Sequence, residues 1–236
     1  MNACLFYDDN HSYFDLSYLR RSAVELVGGL PLIRKARVGD KNAAMALKIG
    51  FWPFVQEFEL AIDQQALPRE PLARKFGDQV MRRVFVRMAR AVREMKSEEG
   101  SHAAHWRKDA ECLGVRYLGD DCLPDVQALI DRAYTKHLPS FFSMLAGTEF
   151  IAEELSRLLI ESEDFTNLFS RRRWVWGEVH LTPHEDGPSH LDIDLDLARA
   201  YDTNASPTAI ERTVLDTIAL FGRAADQVEG SLLVSS

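Results

Sequence analysis

Apolar residues recur at intervals of three and four along nearly the whole chain, while alternating runs bounded by turn dipeptides are scarce. That pattern predicts an all-α protein. A first helix is expected over roughly 12–27, ended at "GGLP", where the glycines supply a C-terminal cap and Pro31 prevents continuation. The region 41–65 carries Pro53 in "FWPFVQEFELAI", which predicts a break or a fresh helix start. The longest pattern begins near Pro71 and runs through "VMRRVFVRMARAVREMKSEE". A break is expected at Gly100, then "HAAHWRKDAECLG" continues to a stop at Gly114. A helix over 123–136 precedes "LPSFFSMLAGTEFIAEELSRLLIES", where Pro139 suits a first turn. Pro183, Gly187 and Pro188 then disfavour a continuous helix, and a last helix over roughly 207–228 starts from Ser206 as N-cap. No internal repeat, low-complexity tract or long linker interrupts the chain, so residues 1–236 are expected to form one domain.

Composition narrows the class. A hydrophobic content of 46% with 27% charge is that of a globular protein, and a formal net charge of −8 argues against a nucleic-acid footprint. "RRRW" at 171–174 is the densest basic run and reads as a solvated helix end. Cys4, Cys112 and Cys122 are odd in number and show no CxxC or finger spacing, which fits a reducing cytoplasm. The first residues lack the basic start of a signal peptide, and no uninterrupted apolar run reaches membrane-spanning length. The expected location is the cytoplasm, with neither membrane nor nucleic acid as partner.

Candidate chemistry lies in three clusters. In "REMKSEEGSHAAHW" at 93–106, Glu94, Glu98, His102 and His105 fall within one helical face about 80 degrees wide. Glu98 and His105, two turns apart, are nearly in register and could share a metal ion, since iron and manganese accept mixed oxygen and nitrogen ligands. The alternative is an ordinary solvated face. The second cluster is Glu149, which follows an apolar run that should face the core, where a carboxylate requires a cation, a partner or a proton; Glu153 lies one turn further on as the fallback. The third is "WVWGEVHLTPHEDGPSH", where His180, His184, Asp186 and His190 offer four ligands within eleven residues, or else core histidines and loop caps. The chain has no GxSxG elbow, no GxGxxG after a strand, no P-loop and no HExxH.

An all-α chain of this size with "EEGSHAAHWRKDAECLGV" on a long helix, "LAGTEFIAEEL" on a later one and "WVWGEVHLTPH" about thirty residues beyond resembles the heme-oxygenase-like superfamily. That superfamily includes the thiaminase II (TenA) proteins, the pyrroloquinoline quinone synthases and the heme-oxygenase-like diiron oxidases, and the chain looks most like the last. The resemblance covers roughly residues 45–200 and implies a bundle of about seven helices around a central pocket, often as a homodimer. It also implies two ferrous ions that activate dioxygen to oxidise a small molecule. Carried over by motif, Glu98 and His105 match the family's Glu and His seven residues apart, Glu149 its middle carboxylate, and His180 the first histidine of its His-x3-Asp-x2-His run. His184 stands where that run has Asp, and Gly187 where it has the last His. An insertion would let Asp186 and His190 take over; direct ligation by His184 is a second arrangement; a weak or absent second metal site is the third.

The competing readings are a metal-free member of the superfamily, acting on or binding a thiamine-like or quinone-precursor heterocycle, and a non-catalytic regulatory protein. The thiaminase branch depends on a nucleophilic cysteine, and neither Cys112 nor Cys122 sits in a recognised context.

Overall fold

The structure is a computed structural model that describes residues 5–7, 12–169, 174–181, 189–204 and 206–234, apart from the side chains of Glu99 and of residues 232–234. Among these residues the helical periodicity becomes twelve helices and no strand. They are α1 (Leu16–Gly29), α2 (Pro31–Arg37), α3 (Lys41–Gly50), α4 (Trp52–Asp63), α5 (Arg69–Phe76) and α6 (Asp78–Cys112), followed by α7 (Pro124–Ala133), α8 (Leu138–Ile160), α9 (Glu163–Asn167), α10 (Val175–Leu181), α11 (His190–Tyr201) and α12 (Pro207–Val234). The all-α fold is as the sequence predicts, and several helices follow one another directly: Leu30 alone separates α1 from α2, and Phe51 alone separates α3 from α4.

Local chemistry sets most of these boundaries. The carboxylate of Asp15 accepts the Tyr18 amide, that of Asp40 accepts the amides of Asn42 and Ala43, and Ser162 accepts the Phe165 amide, each satisfying an orphan donor at a helix start. Pro53, Pro124 and Pro139 all sit in first turns, where their missing N–H costs nothing. The expected break at Gly100 is absent. The chain breaks instead at Gly77, whose φ of +82° belongs to the left-handed region, and α6 runs unbroken to Cys112. Gly100 serves packing: a Cβ there would come within 2.9 Å of the Glu59 carboxylate on the neighbouring α4. The stop at Gly114 is found where expected, at φ +90°.

Helix α11, like the short α2 and α9, is an element the periodicity did not predict. Its sequence "LDIDLDL" alternates apolar and acidic residues, which is a strand-like period. It is helical because Ser189 and Asp192 form a reciprocal capping box and because the tertiary structure buries Asp194 and Asp196 alongside Ile193, Leu195 and Leu197. Asp196 is satisfied by the amides of Phe6 and Tyr7, at 2.9 and 3.1 Å.

Helix α8 is the hub of the bundle. Its buried stretch from Phe141 to Leu159 packs against α11, α12, α10 and α1, while α6 packs against α4, α5, α10 and α3. One contiguous cluster of buried apolar side chains runs from Leu5 to Val228. Among the described residues no helix is long and apolar enough to cross a membrane.

Candidate functional site

Three polar side chains from three helices meet where α11 begins. The capping box at Ser189 places His190 at the first position of α11, between Glu98 from α6 and Glu149 from α8. His190 Nε2 lies 2.9 Å from Glu98 Oε2, and Nδ1 lies 3.6 Å from Glu149 Oε1, so the ring presents one nitrogen to each carboxylate. A protonated imidazole at this place would be a cation between two carboxylates, leaving the trio one negative charge in excess. Burial pushes the Glu149 carboxyl upward, but the His190 contact and the nearby His180 and His102 imidazoles more than reverse that, holding it below the usual carboxylate range. Glu149 is therefore ionised at neutral pH with three imidazoles facing it.

His180 is oriented by its own helix. Its Nδ1 lies 2.7 Å from the Trp176 carbonyl oxygen, an acceptor only, so Nδ1 carries the hydrogen and the lone pair of the neutral ring is on Nε2. The ring lies against Trp176, with centroids 4.1 Å apart, and against His102 at 4.5 Å. These histidines and carboxylates line one cavity of about 680 Å³, with Arg20 of α1 and Glu153 of α8 forming an ion pair on its wall. Glu153 lies one helical turn, about 6 Å, from Glu149. A second, apolar cavity of about 50 Å³ lies beyond Trp176, lined by residues that include Phe51, Phe54, Trp106 and Phe221.

The sequence-selected residues separate into three groups. Glu98, Glu149, His180 and His190 line the same cavity. His105 does not: a second turn along α6 carries it about 10 Å from Glu98, beyond the cavity and toward Asp109. Its place beside Glu98 is taken by His102, one turn away and on the same face. His184 and Asp186 lie outside the described residues, so the terminal run appears only through His180 and His190. Arg20 escaped sequence reasoning because its partner Glu153 is 133 residues away and nothing local marks it.

Two carboxylates and three imidazoles match a divalent transition metal in donor chemistry, and the excess negative charge matches it in sign. The arrangement differs. Among the described residues no group of three or more His, Cys, Asp or Glu side chains is placed to hold a metal ion. His190 explains this, because both of its nitrogens are turned to carboxylates and the ring stands between the two groups that would share an ion.

No protein-family model matches the chain, and no curated protein matches it either. Its fold is that of a solved structure described as a TenA homolog from Pseudomonas syringae pv. tomato str. DC3000. The match has a TM-score of 0.62 and 16% identity, and covers 92% of this chain and 90% of that one. The likeness establishes a TenA-like, heme-oxygenase-like fold.

Proposed function

We propose that the protein is an iron-dependent oxidase that uses dioxygen to oxidise a small molecule bound in the 680 Å³ cavity. The observation that carries this reading is the convergence of Glu98, Glu149 and His190 from three different helices, with His102 and His180 on the same wall. Bundle proteins that bind iron take their carboxylate and imidazole ligands from facing helices in this way. Glu98 and Glu149 would neutralise the ion, while His190, His102 and His180 complete its coordination. The ion would supply the site of dioxygen activation. A second ion would draw on His184 or Asp186. With histidine in a carboxylate's place, that site would be less well neutralised, and one tightly held iron is the expected stoichiometry.

The protein's own groups provide the rest. Trp176 backs the His180 ring, and the exposed Arg20–Glu153 pair offers an exchangeable charge of each sign to an incoming substrate. We also take the chain to act as one domain in the cytoplasm, and a homodimer is the assembly the superfamily implies.

The second reading, a metal-free protein acting on or binding a small heterocycle, is favoured by the present pose of His190, whose two ring nitrogens already face both carboxylates. Anaerobic iron titration followed by metal analysis separates the two. Iron bound by the wild type, with occupancy lost in Glu149→Ala and His190→Ala and kept in Glu94→Ala on the exposed flank of α6, is the expected result. A wild type that takes up no iron transfers the function to the metal-free reading.

A further inference from the structure

Beyond Trp176, on the side away from the cavity, lies a second buried polar group that the proposed chemistry does not use. The ammonium of Lys48, on α3 and 1% exposed, stands 3.5 Å from Asp109 Oδ2 of α6, itself 2% exposed. Three indoles surround it: Nζ is 3.7 Å from the Trp106 ring centroid, 5.4 Å from that of Trp174 and 5.5 Å from that of Trp176. Burial lowers the Lys48 amine to about 8 against the pull of Asp109, and raises the Asp109 carboxyl against the pull of Lys48 and the Trp176 amide. Such a pair is a poor way to fill a core, because apolar side chains of the same volume are as stable or more so. Packing alone does not account for it.

What the pair touches is α10. Asp109 Oδ2 accepts the Trp176 N–H at 3.3 Å, satisfying one of the donors left open at a helix start. With seven residues, α10 is far too short to hold its own conformation, so its place is set by what it is tied to. Trp176 is tied through both of its backbone polar groups, with its amide to Asp109 and its carbonyl to His180 Nδ1. Gly177 keeps the arrangement close, since a Cβ there would fall 2.3 Å from the Trp174 ring.

We propose that Lys48 and Asp109 are positioning residues for the cavity: they hold the Trp176 backbone, and through its carbonyl they set the orientation and tautomer of His180. Lys48 keeps the Asp109 oxygen ionised and aimed; Asp109 fixes the start of α10; the Trp176 carbonyl holds the hydrogen on His180 Nδ1. This takes the cavity as the reaction site but is independent of whether a metal occupies it.

The test compares two double variants by long-range proton–nitrogen spectra of the histidine rings, recorded without metal so that failure of the iron reading leaves the outcome untouched. The His180 signals are assigned by their loss in His180→Gln. Lys48→Met with Asp109→Asn removes both charges but keeps an oxygen that can accept the Trp176 amide. Lys48→Met with Asp109→Leu removes the acceptor as well and, as an apolar replacement of a buried pair, is expected to fold. The expected result is a single Nδ1–H tautomer for His180 in the wild type and the Asn variant, with loss of the separation between its two ring-nitrogen signals in the Leu variant. A merely structural role would change thermal stability while leaving the His180 signals alone. A folded Leu variant with wild-type His180 signals overturns the proposal, as does an Asn variant as perturbed as the Leu variant.

Discussion

Two polar clusters share α6 and lie on opposite sides of Trp176, and they handle charge in opposite ways. Around the cavity, Glu98, Glu149 and Glu153 outnumber the cations, and Glu98 is 49% exposed, so water and incoming groups can replace any partner it loses. Around Lys48 one cation meets one carboxylate, sealed by indoles and by the Trp106 N–H, which donates to the Lys48 carbonyl at 2.8 Å. An open cluster can exchange partners and is therefore suited to binding; a sealed one cannot, and so it can only hold something in place. The same side-chain types thus do different work according to whether solvent reaches them.

The largest expected effect comes from breaking the sealed pair. Asp109→Ala leaves the Lys48 charge buried without its counter-ion and should cost about 3–5 kcal/mol in chemical denaturation. Glu98→Ala, on the open side, should cost no more than about 1 kcal/mol. Equal costs would erase the contrast between the two clusters. Next comes Gly177→Ala, whose new methyl group meets the Trp174 ring and should cost about 1–3 kcal/mol by overpacking, with a matching change in tryptophan emission.

A smaller effect follows from pH. The folded state lowers the Lys48 amine from 10.5 to about 8, so between those values the unfolded chain holds a proton that the folded one has released. Stability contributed by this group therefore rises with pH across that window, by at most about 1.4 kcal/mol per pH unit, and that rise should be absent from Lys48→Met, so that it appears in full in the difference between wild type and variant. Denaturation at several pH values above 8 measures it. Smallest of all is Arg20→Ala. Its ion pair with Glu153 is exposed, so the loss of stability should stay below about 1 kcal/mol, and any larger consequence should be confined to substrate binding.

Much of this molecule is set within single stretches of sequence. The helices follow from periodicity and from caps such as Asp40 and Pro139, because a helix start needs only the few residues around it. Glu98 and Glu149 could be singled out for the same reason, Glu98 by its register with His105 on one helical face and Glu149 by following an apolar run on its own helix. The partner of Glu98 could not. Helical register made His105 the natural choice, whereas the contact is with His190, ninety-two residues on and at the head of a helix whose alternating acids disguised it. Lys48 gave no signal at all, since a lysine reads as solvated until other helices close over it, and Arg20 is matched to Glu153 only through the packing of α1 on α8. Backbone propensity and capping act over one or two turns and so can be read along the chain. Which charges are buried, and beside which partners, depends on contacts between residues far apart in sequence, and only the packed bundle decides those.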